Sequence, residues 1–111
     1  MTPYVFVGLI NYDQTSKNMR LTPLVILAAN IFGIKEKQVM LKKRTRIFVQ
    51  ARTAIASILR LKYNMTLADI GRTMGKDHTT VIHMLKNHHH DIEWDELYRK
   101  RYLQIEKLHT C

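Results

Sequence analysis

The chain contains one cysteine, Cys111, and it is the last of 111 residues. No internal disulfide can form and no cysteine cluster can bind a metal, which fits a reducing compartment. The thiol is expected to be a tail group that pairs, if at all, with another molecule in air. Long apolar runs are equally scarce. Residues 24–29 form an apolar run, far short of the roughly 20 residues needed to cross a bilayer. Residues 4–10 are apolar too, but lack the basic leader and cleavage site of a signal peptide. There is no G-x-x-x-x-G-K-[ST] phosphate loop and no carboxylate–histidine motif of a metalloenzyme. These absences argue against a disulfide scaffold, a membrane span, a P-loop ATPase and a metallohydrolase. Neither cofactor nor metal is expected, and the chain does not read as an enzyme.

What is present is basic charge in one place. The formal net charge is +9, and 46% of residues are apolar, enough for one modest core in a single domain. Residues 1–34 carry +1, and residues 63–111 balance seven basic against seven acidic side chains. Residues 35–62 carry +8, with nine basic residues against Glu36. A charge kept for solubility would be spread evenly. A local block reads as a phosphate footprint or, standing alone, as a solvated basic face.

The pattern predicts an all-α protein, a compact helical bundle. Residues 1–20 read as a poorly structured leader in which Tyr4, Phe6 and Leu9 could form an apolar strap. Residues 21–111 read as one helical domain. A first helix is expected to start near Thr22, with Thr22 as N-cap and Pro23 at its first helical position, and to stop near Gly33. Residues 35–40 read as a short connecting helix or turn contributing Val39 and Met40 to the core. A long central helix is expected over 43–63, because Ile47, Ala51, Ala54, Ile55, Ile58 and Leu59 recur at helical spacing. Its polar stripe would hold Arg46, Gln50, Thr53, Ser57 and Arg60. Arg52 lies towards the edge of the apolar face, where it either snorkels to a phosphate or pairs with an acid inside the fold. A last helix is expected over 94–108, with Trp94, Leu97, Tyr98, Tyr102, Ile105 and Leu108 as its packing seam.

Residues 66–86, TLADIGRTMGKDHTTVIHMLK, read as two helices joined by a glycine turn. Thr66 is a candidate N-cap with Asp69 as a weak capping-box partner. The first helix covers 67–74 and Gly75 ends it. The second runs from about His78 to His88 behind Asp77. Val81, Ile82, Met84 and Leu85 fall on one side of it, and Thr79, Thr80, His83, Lys86 and Asn87 on the other. A helix that only packs rarely opens on four short polar residues. A helix that pushes its first turn into the major groove does, because its N-terminal side chains reach the base edges.

Taken together, GKDHTTVIHMLK, the preceding TLADIGRTM and the basic stretch LKKRTR before a long helix resemble the C-terminal DNA-binding domain of the DnaA replication initiators. That family's signature is Gly-Arg-Asp-His-Thr-Thr-Val. Here it stands as Gly75-Lys76-Asp77-His78-Thr79-Thr80-Val81, with lysine for arginine. The resemblance covers roughly residues 22–90 and extends to Ala51-Arg52 and Ile70-Gly71. It implies a helix-turn-helix fold related to the Trp repressor and sequence-specific binding of double-stranded DNA, in replication initiation or its regulation. It does not extend to the initiators' ATP-driven motor, for which this chain has neither the phosphate loop nor the length.

The resemblance and the chemistry give roles to the same side chains. Arg44 is placed to enter the minor groove, where narrow A·T-rich tracts attract arginine. Lys42, Lys43 and Arg46 would neutralise phosphates beside it. Arg52 and Arg60 are candidate phosphate or base contacts. Lys76 can reach a phosphate or a guanine acceptor, although lysine lacks arginine's planar fork. Asp77 can accept from a base amino group, cap the helix, or do both. His78, Thr79 and Thr80 offer donors, hydroxyls and methyls to base edges. Thr66, His83 and Lys86 are weaker DNA-contact candidates.

Histidines 83, 88, 89 and 90 crowd the end of the second helix and read as surface residues favoured near a helix C-terminus. The competing function is a protein-interaction module using the YVFVGLI leader and the Tyr/Trp-bearing tail. RNA binding is a weaker rival, for want of an aromatic platform on a sheet. Expected partners are double-stranded DNA and proteins of the replication machinery, with no membrane. The expected state is a monomer or weak dimer in the cytoplasm, associated with the nucleoid.

Overall fold

A computed structural model describes residues 12–39 and 45–110 of the chain. Among them are six helices and no strand: α1 (Tyr12–Phe32), α2 (Glu36–Val39), α3 (Arg46–Leu61), α4 (Leu67–Met74), α5 (His78–Trp94) and α6 (Glu96–Thr110). The fold is all-α with a helix-turn-helix at α4–α5, as the sequence pattern requires. The apolar strap at Tyr4, Phe6 and Leu9, the core contact expected of Met40, and Cys111 lie outside the described residues.

Helix α3 is the axis of the bundle, and every other helix packs against it. Its apolar face, with Ala51, Ala54, Ile55, Ile58 and Leu59 fully buried, meets Leu24, Ala28 and Phe32 of α1, Ile70 and Met74 of α4, and Val81 and Met84 of α5 in one core. Each of the Leu, Ile, Val, Met and Phe side chains contributes about 1.5–3 kcal/mol when removed from water, and each alanine less. The expected polar stripe of α3 is exposed only at its two ends, Arg46 and Arg60. Gln50, Thr53 and Ser57 are all buried, because α5 and α6 cover that side as well.

Four expectations need correction. Helix α1 begins at Tyr12, not near Thr22, and Pro23 lies inside it on the exposed side. There water can solvate the backbone group that proline leaves without its helical partner. Residues 12–20 of the expected leader are therefore helical. Helix α5 runs on to Trp94, well past His88, because nothing between them breaks a helix; Asp95 makes the break in an extended conformation. His88 is not a surface histidine but is 5% exposed. The packing seam of α6 is Tyr98, Tyr102 and Ile105, spaced four and three residues apart, whereas Trp94, Leu97 and Leu108 are exposed.

Helix α6 is pinned to the two ends of α3 and packs on α1 between them. Near its start the Asp95 carboxylate holds Arg46 and Gln50. Near its end Glu106 pairs with Lys62 at 3.3 Å, and His109 hydrogen-bonds the Tyr63 hydroxyl. Between them Tyr98 stacks on Tyr102 and lies against Phe32 of α1.

Candidate nucleic-acid interface

The helix-turn-helix is set by local chemistry at each joint. Thr66 caps α4, its hydroxyl accepting the Asp69 amide at 3.1 Å. Gly75 closes α4 in the left-handed region, φ 70°, which glycine adopts without strain. The chain then turns back, and the Lys76 amide donates to the Gly71 carbonyl at 2.8 Å. Gly71 is what lets the turn come so close. A Cβ there would sit 2.6 Å from the Lys76 carbonyl oxygen.

Asp77 starts α5. Its carboxylate accepts the Thr80 amide at 2.8 Å, and this hydrogen bond holds the carboxyl below its ordinary range. The capping role is therefore real, and Asp77 remains exposed while it performs it. His78 and Thr79 beside it are exposed, and Thr80 and Lys76 are half-buried. Further along, His83 and Lys86 are exposed and follow Thr79 at i+4 and i+7, so the three share one outward face. Behind them Val81 and Met84 are buried, with Leu85 packed on the same core. Of the side expected to glue the helix down, Val81, Met84 and Leu85 do so and Ile82 is half-buried; of the opposite side, Thr79, His83, Lys86 and Asn87 are exposed and Thr80 is half-buried.

The arginines divide differently from the sequence expectation. Arg60 is exposed, but its guanidinium donates to the Met65 carbonyl at 2.8 Å across the turn between α3 and α4. It sits next to the exposed Thr66. Arg52 is 7% exposed and donates to the Val39 carbonyl at 3.2 Å, tying α3 to the end of α2. Burial lowers its affinity for its proton. Arg46 has 70% of its side chain exposed and reaches Asp95 at 2.9 Å and Asp91 at 3.9 Å. The Asp95 hydrogen bond raises its pKa. Lys42, Lys43 and Arg44 lie outside the described residues.

Gln50, Asp91 and Asp95 are the residues that sequence reasoning missed beside Arg46. Gln50 donates to Asp95 at 2.9 Å and to Asp91 at 3.4 Å. Asp95 also accepts the Tyr98 amide at 3.0 Å, and these three donors hold its carboxyl far below the ordinary range, the Tyr98 amide most of all. One signal was available: an aspartate three residues before Tyr98, at a break between two helical patterns, is an N-cap. Among the described residues no cluster of three or more His, Cys, Asp or Glu is arranged to hold a metal ion. No helix among them is long and apolar enough to cross a membrane.

Comparison with known proteins agrees with this architecture. The family model of the bacterial DnaA protein helix-turn-helix matches residues 25–87, from the middle of α1 into α5. The chromosomal replication initiator protein DnaA of Aliarcobacter butzleri is 30% identical over 87 residues, covering 78% of this chain and 20% of that protein. The DnaA of a Thermoanaerobacter species is 32% identical over 76 residues, 68% of this chain and 17% of that protein. The DnaA 1 of Chlamydia trachomatis is 27% identical over 85 residues, 75% of this chain and 19% of that protein. This chain thus spans about a fifth of the length of the relatives it matches. No solved structure matches it. With the family model covering more than half of its residues, α4 and the opening of α5 among them, the chain belongs to the bacterial DnaA helix-turn-helix family.

Proposed function

We propose that this protein binds double-stranded DNA at specific sequences through α5, in the initiation of replication or its regulation. The observation that carries the reading is the opening of α5: Asp77, His78 and Thr79 stand exposed on a helix whose back is buried in the core. In this reading His78, Thr79 and Thr80 meet base edges in the major groove and Asp77 accepts from a base amino group while capping the helix. Lys76, Lys86 and Arg46 neutralise phosphates, and His83 and Thr66 flank the contact. Arg60 grips from the α3–α4 turn. Arg52, buried against Val39, acts by holding α2 to α3 and not by touching DNA. The minor-groove role of Arg44, with Lys42 and Lys43 beside it, rests on the sequence resemblance.

Selection of bound duplexes from a random pool tests this. A short asymmetric sequence is expected to emerge. With about six phosphates neutralised, log affinity falls against log salt with a slope of roughly −5. His78→Ala or Thr80→Ala is expected to relax discrimination between the selected duplex and a scrambled one. Unchanged discrimination refutes base reading by the α5 tip. The second reading, a protein-interaction module, has one observation in its favour, the exposure of Trp94 and Leu97 where α5 meets α6. It requires that no sequence be selected.

A further inference from the structure

Resting on the DNA-binding reading above, we propose that Asp95 is a positioning residue. It fixes the Arg46 guanidinium to the far end of the recognition helix, so that one helix sets the separation between the base-reading tip and a phosphate-gripping arginine. Asp95 is the residue that ends α5. Its Oδ1 accepts the Tyr98 amide at 3.0 Å, and its Oδ2 accepts both Gln50 at 2.9 Å and Arg46 at 2.9 Å. The carboxylate is thus immobilised by a backbone amide of α6 and by a buried side chain of α3 before Arg46 meets it. Asp91, one turn back on α5, faces the same guanidinium at 3.9 Å and the same Gln50 at 3.4 Å.

Arg46 is held and yet presented. Asp95 takes one terminal nitrogen, Nη2, and the side chain remains 70% exposed. A guanidinium carries five N–H donors in a rigid fork, so one anchored edge leaves another for a phosphate. Anchoring removes ordering cost that a long arginine otherwise meets on binding. The geometry also suits a duplex. From His78 to Asp95 the helix rises roughly 25 Å at 1.5 Å per residue. Half a turn of duplex, the offset from one groove to the next, is about 17 Å. The two ends of α5 are therefore far enough apart to serve neighbouring grooves. Asp91 and Asp95 both lie beyond the residues that the family model matches.

An opposing effect fixes the sign of the test. A carboxylate near phosphates repels them, so if it only shielded Arg46 its removal would strengthen binding. The full chain, Asp95→Asn and Asp95→Ser are titrated with the selected duplex at 150 and 300 mM salt, each alone and with Arg46→Ala. Asn and Ser retain an N-cap acceptor for the Tyr98 amide but supply no carboxylate. Both are expected to bind about threefold to tenfold more weakly, the ordering cost of one long side chain. The loss persists at 300 mM, where screening shortens below the roughly 8 Å of physiological salt. It vanishes in the Arg46→Ala background. Arg46→Lys, an exposed change that leaves the packing intact, is expected to lose a similar factor although its charge is kept.

Unchanged or tighter binding by the Asp95 variants overturns the proposal. So does an equal loss with and without Arg46, which marks a general structural defect and shows in a thermal melt. If the Asp95 variants fail to fold, Arg46→Lys decides, and binding equal to wild type overturns the proposal. A wild-type chain that selects no duplex defeats the DNA-binding reading itself. A wild-type chain that selects a duplex, with Asp95 variants matching it, defeats only the positioning role.

Discussion

At its first turn α5 is capped by its own Asp77 and shows His78 and Thr79 to solvent, whereas towards its other end His88 is enclosed by Tyr98 and Tyr102. The first end is built from neighbours in sequence: Thr66, Gly71, Gly75 and Asp77 fix the turn within a dozen residues. The second is built from distant partners, with Arg46 and Gln50 of α3 meeting Asp91 and Asp95 some 40 residues on. A locally made end can offer its side chains to a ligand, because its geometry does not depend on burying them. An end made by tertiary contacts uses its polar groups internally and contributes stability. Substitutions at the tip should alter binding with little change in stability, and substitution of the buried His88 the reverse, while Arg46 and Asp95 are the far-end pair proposed to act on binding.

The largest expected effect breaks that division. Gly71→Ala touches none of the DNA-facing side chains, yet it puts a methyl 2.6 Å from the Lys76 carbonyl oxygen, a backbone atom that cannot move alone. Alanine gains up to about 1 kcal/mol in helix propensity over glycine. Overpacking of this kind costs about 1–3 kcal/mol and forces backbone shifts. The clash is expected to win. The melting temperature falls, and the displaced start of α5 abolishes duplex selection. A variant that melts higher and binds normally would show that the close approach is not enforced.

The far end is sharpened by acid. Burial, and the neighbouring His89, push the His88 imidazole from 6.5 down to about 4, with Asp91 and Glu106 opposing. His88 shares a 2.7 Å hydrogen bond with the Tyr98 hydroxyl and packs 4.5 Å from the Tyr102 ring centroid. Between pH 6.5 and 4 the unfolded chain binds a proton that the folded chain refuses. Stability therefore falls as pH drops through that window, by about 3 kcal/mol if the full shift is realised. Denaturant melts at a series of pH values should show this loss, and His88→Gln, which cannot take up the proton, should flatten it. The Asp95 carboxyl, held low by its three donors, acts in a separate window: its contribution is lost only as pH falls below the ordinary aspartate value of 3.8. Equal slopes for His88→Gln and wild type between pH 6.5 and 4 would remove His88 as the cause.

The same division explains what could be read from sequence. Helix α4 was legible to the residue, because Thr66 and Gly75 encode its two ends in side-chain and backbone chemistry. Asp77 and the outward set Thr79, His83 and Lys86 were legible for the same reason. Gln50, Thr53 and Ser57 were legible as a polar stripe but not as a buried one, because periodicity separates polar from apolar faces and does not say what covers either. His88 was misread as one of four similar histidines because only Tyr98 and Tyr102, on the next helix, distinguish it. Arg52 looked like a phosphate contact or one half of an ion pair. It is buried, and its guanidinium donates to the Val39 carbonyl, a contact which no side-chain pattern reveals.

The smallest effect tests the comparison at the junction itself. Trp94 has the largest apolar side chain in the chain, and the helical pattern places it in the packing seam of the last helix. The break at Asp95 changes that assignment. Trp94 ends α5, α6 starts two residues later, and the seam begins at Tyr98 instead. With 73% of its surface exposed, Trp94 has little burial to lose. Trp94→Ala is expected to change stability by no more than about 0.5 kcal/mol, the usual range for surface positions. Replacing a buried aromatic by alanine typically costs about 3–5 kcal/mol. A melt of the purified variant distinguishes the two cases directly. A loss in the buried range would mean that α5 and α6 do not part at Asp95. Arg46 would then lose the fixed carboxylate that ties it to the recognition helix.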